Sequence, residues 1–155
     1  MTKLVKDYKP QVLFLIESKR KRHEMDWLRS RWNFNNCVAV ECMGRAGGLA
    51  LLWMDEVKVD VQSFSKNHID AIIGEGNEEV KKWCCTGFYG EPDTNKRQES
   101  WNLLRRLKEM SRLPWLCVGD FNELLTSKEK LGGVLRHNNK WIGSNRYWSI
   151  VVLMK

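Results

Sequence analysis

The chain has 155 residues, 43% of them hydrophobic, which suits one domain with an apolar core of its own. Its formal net charge of +7 and pI near 9.3 favour polyanionic partners, above all nucleic acid. The five cysteines include no CxxC pair, which argues against a zinc site or disulfide framework and favours free thiols in a reducing compartment.

The N-terminal part of the chain predicts a buried strand followed by a helix. Residues 12–18, VLFLIES, form a continuous apolar run that is typical of a strand covered on both faces. The basic segment after it has Met25, Leu28 and Trp32 at helical spacing. Ser18 is a candidate N-cap for this helix.

The middle of the chain predicts further strands. Residues 36–41 form a short strand, and a glycine turn leads into another within residues 44–54. Residues 57–65 alternate between valine and polar side chains, the period of a half-exposed strand. Residues 68–90 predict two strands joined by a polar turn, which is a hairpin.

The helical period returns between residues 95 and 110, with Trp101, Leu104 and Leu107 on one face. Asn95, followed three residues later by Gln98, resembles a capping box. Residues 114–120 then predict a buried strand, followed by a loop. Strands dominate, helices occur singly between them and no internal repeat is present. The sequence therefore predicts one layered α/β or α+β domain.

Polar side chains stand at the ends of three apolar strands: Glu17, Tyr89, and the pair Asp120 and Asn122 in GDFN. Because a rigid sheet presents such side chains to a cleft, they are candidates for one site. Glu17 suits Mg²⁺, which prefers hard oxygen ligands. Asp120 could orient or deprotonate a water, and Asn122 and Tyr89 could bind a phosphate.

Each of these residues also has a structural interpretation that the sequence leaves open. Glu17 could be the first solvated residue before a helix, and Tyr89 a strand-end aromatic. Asp120 and Asn122 could be turn residues that bond their own backbone. The basic run at residues 19–22, KRKR, could be a solvated face or a contact for nucleic acid.

Five stretches, in order, resemble the exonuclease-endonuclease-phosphatase superfamily, which includes apurinic/apyrimidinic endonucleases and deoxyribonuclease-I-like enzymes. More narrowly, they resemble the endonuclease domain of plant non-LTR (LINE-type) retrotransposons. They are KPQVLFLIESK, GGLALLWMDEV, NHIDAII, TGFYGEPDTNKRQESWNLLRRL and LPWLCVGDFNELLTSKEKLGG, and they cover roughly residues 4–136. The resemblance implies an α/β fold, a partial four-layer α/β/β/α sandwich with helices outside two central sheets.

The resemblance also implies roles for individual residues. Glu17 matches the metal-binding glutamate, for Mg²⁺ or alternatively Mn²⁺. Tyr89 and Asn122 match residues that contact the scissile phosphate. Asp120 matches the aspartate that positions or activates the nucleophilic water or stabilises the leaving group. Arg97 matches a helix arginine that we interpret as structural or phosphate-steering.

The chain departs from the family pattern at both ends, and Ser18 stands where the family usually has threonine. The first residues resemble the helix that follows the family's first strand, so that strand and its metal-side asparagine are missing. The later Asp-His pair has no counterpart, and His137 is expected to be a loop residue. We therefore expect a truncated domain at 1–136 and a divergent tail at 137–155, with residues 147–154 as an appendage. The first sheet is then expected to expose an apolar face and unpaired edges.

The implied function is Mg²⁺-dependent phosphodiester hydrolysis that nicks DNA. Catalytic groups that act as a unit lose most of their effect when one is missing, so we expect an impaired retrotransposon remnant. A non-catalytic basic nucleic-acid-binding protein and a phosphatase of the same superfamily remain alternatives.

We expect DNA as the partner, with no membrane association and no small-molecule cofactor. The charged N-terminus carries no signal segment, and residues 147–154 are too short to span a bilayer. An intracellular location follows, with the nucleus as a candidate.

Overall fold

The computed structural model describes residues 2–42, 47–74, 82–122 and 150–153. These residues form three α-helices and eight strands. The helices are α1 (Thr2–Tyr8), α2 (Arg22–Arg31) and α3 (Arg97–Glu109), with a 3₁₀ turn at Thr94–Lys96. The strands are β1 (Val12–Ile16), β2 (Asn36–Val40), β3 (Leu49–Trp53), β4 (Lys58–Ser65), β5 (His68–Gly74), β6 (Trp83–Tyr89), β7 (Trp115–Asp120) and β8 (Ile150–Leu153).

The strands form two sheets of four. The first sheet has the order β2-β3-β1-β8, and each neighbouring pair is antiparallel. The second sheet has the order β4-β5-β6-β7, in which β7 runs parallel to β6 and the other pairs are antiparallel. A parallel neighbour requires a crossover connection, and α3 supplies it. The predicted hairpin is confirmed as β5 and β6, whose connection at residues 75–81 lies outside the described ranges.

Strand β1 is covered on both faces, as its continuous apolar run predicts, and all five of its residues are buried. Phe14 and Ile16 belong to the core cluster that the first sheet shares with the second. Leu13 belongs to a second cluster on the opposite face, with Met25 of α2 and Trp32 just after it. Helix α2, the first sheet and the second sheet are therefore three successive layers.

Helix α3 packs against the second sheet near β7. Trp101 stacks with Phe121, with their ring centroids 6.4 Å apart. Leu104 of α3 and Trp115 of β7 line one cavity between the helix and the sheet. The predicted α/β fold with two central sheets is confirmed.

The two sheets approach closely where Phe14 of β1 meets Gly87 of β6. A Cβ atom on Gly87 would overlap the Phe14 ring, so this position requires glycine. Glu17 follows Phe14 by three residues, and Tyr89 follows Gly87 by two. The contact therefore brings the ends of β1 and β6 together.

The outer face of the second sheet carries buried polar groups. Thr86 of β6 donates to the carboxylate of Asp70 on β5 and accepts from the Trp115 indole N–H of β7 at 2.8 Å. Burial raises the pKa of Asp70, although the hydrogen bond from Thr86 opposes that rise. Three neighbouring strands are thus linked through one threonine hydroxyl.

His68 of β5 is held by two serine hydroxyls. Its Nε2 lies 2.9 Å from Ser63 Oγ, and its Nδ1 lies 2.8 Å from Ser65 Oγ. Burial lowers the pKa of His68, while the charge of Asp70 on the same strand acts in the opposite direction. His68 is thus a buried residue whose ring is held by the neighbouring strand.

The predicted N-cap for α2 is wrong. The helix begins at Arg22, and Lys21 is its N-cap. Ser18 lies in the irregular segment between β1 and α2, where its backbone N–H donates to the Gly48 carbonyl at 2.9 Å. The chain needs these residues to turn away from β1 before a helix can start.

The predicted capping box at the start of α3 is also wrong. A 3₁₀ turn comes first, and the side chain of Asp93 accepts from the Asn95 N–H at 3.0 Å. Helix α3 then begins at Arg97 without a side-chain cap. Gln98 bonds Asn102 at 3.1 Å, one turn along the helix.

Of the predicted appendage at residues 147–154, the structure describes residues 150–153, and these form a strand of the first sheet. Residues Ile150–Leu153 pair with β1, with Leu153 opposite Val12. The expected apolar face of the first sheet is wrong, because β4 to β7 form a second sheet that covers β1. The boundary at residue 136 stays a prediction, since residues 123–149 lie outside the described ranges.

All five cysteines are free thiols. Burial raises the pKa of Cys85 to about 12, and that of Cys117 on the neighbouring strand β7 also to about 12. No helix in the described part of the chain is long and apolar enough to cross a membrane.

Candidate active site

The predicted site residues lie at neighbouring strand ends. Tyr89 is the last residue of β6, and Asp120, the last of β7, is its partner in the parallel register. Asn122 follows two residues later. Glu17 comes directly after β1 in the first sheet. The folded chain therefore collects these residues from three strands and two sheets.

A hydrogen bond joins the two sheets at this site. The Tyr89 hydroxyl donates to Glu17 Oε1 at 2.8 Å. Tyr89 is buried, and Glu17 is half-buried, so the carboxylate remains partly accessible to solvent. Glu17 is therefore partly solvated, and it also forms a contact between the two sheets.

A tight turn positions Asp120 and Asn122. Asp120 Oδ1 accepts from the Asn122 backbone N–H at 2.9 Å, which is the Asx turn that the sequence left open. Asn122 Nδ2 donates to the Gly90 carbonyl at 2.7 Å, and the Gly90 N–H donates to the Asp120 carbonyl at 2.7 Å. Both residues are turn residues, and the turn is anchored beside Tyr89.

The pKa of Tyr89 is raised well above its usual value. Burial is the main cause, followed by the hydrogen bond to Glu17 and the charge of that carboxylate. A hydrogen bond with the Asn122 side chain acts in the opposite direction, and the Asp120 charge adds to the rise. Glu17, Asp120 and Asn122 are thus all close enough to affect the Tyr89 phenol. Because its pKa is raised, this phenol stays protonated and can donate a hydrogen bond.

Two site residues have left-handed backbone conformations. Glu17 has φ 53° and Asn122 has φ 51°. Such conformations cost a non-glycine residue free energy and persist only where the surrounding structure enforces them. Lys9, Lys19 and Asn33 also have positive φ, so this conformation is not specific to the site.

The site contains a carboxylate of the kind that Mg²⁺ prefers as a ligand. Glu17 offers a hard carboxylate oxygen, and Mg²⁺ is usually bound by one or two carboxylates with several waters. Ser18, the next residue, has a buried hydroxyl without a hydrogen-bond partner among the described residues. Within the same residues no group of three His, Cys, Asp or Glu side chains is close enough to hold a metal.

Asn67 supports the site and was not predicted from the sequence. Its carbonyl accepts from the Tyr89 N–H at 2.7 Å, and its Nδ2 donates to the Tyr89 carbonyl at 2.8 Å. It lies in the tight turn between β4 and β5, which is the signal that marks it as a structural asparagine. Asn67 holds the end of β6 in place.

The other candidate residues belong to α3, to α2 and to the segment before α2. Arg97 is buried at the start of α3, in agreement with its structural interpretation. The basic residues 19–22 are exposed and begin two residues after Glu17. His23 is exposed on α2, whereas His137 lies outside the described residues.

The sequence matches the model of the Endonuclease/Exonuclease/phosphatase family over residues 1–149. The chain therefore belongs to this family, whose members hydrolyse phosphodiester and phosphate bonds. The resemblance predicted from the ordered motifs is confirmed at this level. A search of curated proteins gave no match.

Among solved structures the chain is similar to ANGEL2, described as a 2′,3′-cyclic phosphatase in complex with adenosine-2′,3′-vanadate. The TM-score is 0.51 and the sequence identity 14%, over 81% of this chain and 44% of ANGEL2. The chain thus spans less than half of that structure. At this identity the likeness shows a shared fold alone.

Proposed function

We propose that this chain is a Mg²⁺-dependent phosphodiester hydrolase that nicks DNA, is derived from a plant LINE-type retrotransposon endonuclease, and has impaired activity. The observation that carries the proposal is the cluster of Glu17, Tyr89, Asp120 and Asn122, formed from two sheets. Membership of a family of phosphate-ester hydrolases supports the reaction class, and the ordered motifs support the origin. Genomic DNA as substrate would place the protein in the nucleus.

Each side chain has a role that its surroundings permit. The Asp120 carboxylate, oriented by the Asn122 N–H, would accept a proton from the attacking water. The Asn122 amide and the protonated Tyr89 hydroxyl would donate to a phosphate oxygen as negative charge grows on it. Tyr89 now donates to Glu17, so its hydroxyl must be redirected or shared when a phosphate binds.

Glu17 is the residue that would hold Mg²⁺ or Mn²⁺. When bound, the ion would supply Lewis-acid polarisation of the phosphoryl group. We expect low activity because the described residues contain no group of three His, Cys, Asp or Glu side chains that could hold a metal ion. An incomplete set of cooperating groups typically loses rate by factors of about 100 or more.

A supercoiled-plasmid nicking assay tests the proposal. Wild type should nick slowly with Mg²⁺ and not with EDTA, and Asp120→Ala should lower the rate by about 100-fold or to background. Glu56→Ala is the matched control, because Glu56 is an exposed carboxylate in the turn before β4. Nicking that persists in EDTA, or that Asp120→Ala leaves unchanged, would contradict the proposed chemistry.

A non-catalytic nucleic-acid-binding function is the second candidate, favoured by the exposed basic run at residues 19–22. Changing these four residues to glutamine should weaken binding to duplex DNA and lower its salt dependence. The control removes four exposed charges elsewhere: Lys3, Lys58, Arg106 and Lys108. Equal loss in both variants would show general charge attraction and reject a dedicated surface.

A further inference from the structure

The carbonyl of Tyr89 is held by a side chain rather than by the backbone of the neighbouring strand. Asn67, in the turn before β5, accepts from the Tyr89 N–H with its backbone carbonyl at 2.7 Å. Opposite residues of a hydrogen-bonded antiparallel pair normally exchange two backbone bonds. Here the Asn67 N–H donates to Ser65 Oγ at 3.1 Å, and Asn67 Nδ2 donates to the Tyr89 carbonyl at 2.8 Å. The side-chain amide therefore takes the place of a backbone donor at the end of β6.

The residue after Tyr89 is fixed from the β7 side. The Gly90 N–H donates to the Asp120 carbonyl, and Asn122 Nδ2 donates to the Gly90 carbonyl, both at 2.7 Å. A Cβ atom on Gly90 would overlap the backbone of Phe121, so the two segments are in close contact. The chain at Tyr89 and Gly90 is thus bonded on both sides, and the Asn67 amide supplies the side-chain bond from the β5 side.

The Tyr89 hydroxyl has to meet narrow geometric limits. It donates to Glu17 Oε1 at 2.8 Å across the space between the two sheets, and the tyrosine is buried. Hydrogen bonds weaken steeply as their angle departs from linearity. A misplacement of about 1 Å at a reacting group can cost roughly 100-fold in rate. A side chain that fixes the backbone of Tyr89 therefore also fixes where its hydroxyl can donate.

We propose that Asn67 is a positioning residue for phosphodiester hydrolysis, whose side-chain amide fixes the Tyr89 backbone and thereby directs the Tyr89 hydroxyl towards the phosphate oxygen. The inference rests on the proposed function, because it assigns Asn67 a part in the step that Tyr89 assists. Asn67 contacts neither substrate nor metal in this scheme, and its effect is exerted through Tyr89. Substitution should therefore lower kcat and leave KM nearly unchanged.

A double-mutant cycle in the plasmid nicking assay separates positioning from a general effect on the fold. Asn67→Ala should lower kcat by about fivefold and change KM by less than about twofold. In a Tyr89→Phe background the same change should cost less than about twofold, because the hydroxyl that Asn67 positions is absent. The rates are measured at a temperature at which thermal melting shows every variant folded. Losses that multiply in the double variant, or a loss confined to KM, would overturn the inference.

An aspartate variant provides a sharper change with a matched control. Asn67→Asp replaces the donor with an oxygen that repels the Tyr89 carbonyl, and it should lower kcat by about tenfold. Asn102 is an exposed asparagine of α3 whose side-chain oxygen accepts from Gln98 and Arg105. Asn102→Asp adds the same charge and keeps these bonds, so kcat and KM should change by less than about twofold. Equal losses in the two aspartate variants would assign the effect to charge and overturn the inference.

Fluorine NMR of the full chain labelled with 3-fluorotyrosine tests the positioning without any activity. The chain has three tyrosines, Tyr8, Tyr89 and Tyr147, and Tyr89→Phe identifies the Tyr89 resonance. Asn67→Ala should shift or broaden this resonance and leave that of the exposed Tyr8 unchanged, whereas Asn102→Asp should change neither. An unchanged Tyr89 resonance in Asn67→Ala would overturn the inference. If wild type fails to nick DNA, the proposed function fails, and the resonance still decides whether Asn67 positions Tyr89.

Discussion

The two sheets support the two halves of the candidate site in different ways. Strand β1, which leads to Glu17, lies between β3 and β8 and is buried along its whole length. Strand β7, which leads to Asp120, has β6 as its only neighbour within the described residues, and none of its residues is fully buried. The Glu17 half is thus embedded in a core, whereas the Asp120 half lies at a sheet edge.

The chemistry that holds each strand differs as well. Around β1 the contacts are apolar on both faces, and their strength depends on packing and buried area. On the second sheet, β7 is attached partly through the hydrogen bond from Trp115 to Thr86, which also serves the buried Asp70. Substitutions in the two sheets should therefore differ in size and in their dependence on pH.

The largest expected effect is a difference in stability between alanine variants of two leucines, each of which is the second residue of its strand. Leu13 of β1 is completely buried, whereas Leu116 of β7 is 39% exposed. Leu13→Ala should lower the free energy of unfolding by about 2–5 kcal/mol, because it leaves a cavity in the core. Leu116→Ala should cost about 1 kcal/mol or less. Urea unfolding of both variants measures the difference, and equal losses would contradict the contrast between the strands.

The next effect should arise at Thr86. Thr86→Val removes the hydroxyl that donates to buried Asp70 and accepts from Trp115, which should cost about 1–3 kcal/mol of unfolding free energy. Thr86→Ser retains the hydroxyl and should lose clearly less. If valine proved as stable as threonine in urea unfolding, the polar link would have no part in holding β7.

A smaller effect, on the nicking rate rather than on stability, is expected for Tyr89, whose hydroxyl forms the hydrogen bond between the two sheets. Tyr89→Phe removes the donor to Glu17 and, in the proposed chemistry, a donor to phosphate. Nicking should slow by about tenfold, equivalent to about 1.4 kcal/mol of transition-state stabilisation. The melting temperature should change little. A variant that nicks as fast as wild type would remove Tyr89 from the mechanism.

The smallest expected effect is a pH dependence of the stability that arises from His68 in the second sheet. Burial lowers the pKa of His68 in the folded protein below its ordinary value near 6.5. The unfolded chain then binds a proton more readily than the folded chain, so stability is present above that value and is lost as pH falls through the window beneath it. Urea unfolding between pH 7.5 and 5 should show this loss, and His68→Gln should flatten the profile. An unchanged profile in His68→Gln would assign the loss to other groups.

The order and type of most elements could be predicted from the sequence, because each is determined by a local period. The continuous apolar run of β1, the alternation in β4 and the helical spacing of α3 are properties of neighbouring residues. The caps at Ser18 and Asn95 were wrong, since a helix start depends on how the chain leaves the preceding strand. The pairing of β8 with β1 joins segments far apart in sequence, which no local pattern reveals.

The sequence by itself determined which groups are available: one carboxylate after β1, a tyrosine after β6, and an acid and an amide after β7. Their meeting was decided by tertiary structure, because the approach of Phe14 to Gly87 sets the distance between the sheets. The same reason explains why Asn67 could not be predicted as a support of Tyr89. Side-chain identity is local, whereas proximity across two sheets depends on the packing of the whole core.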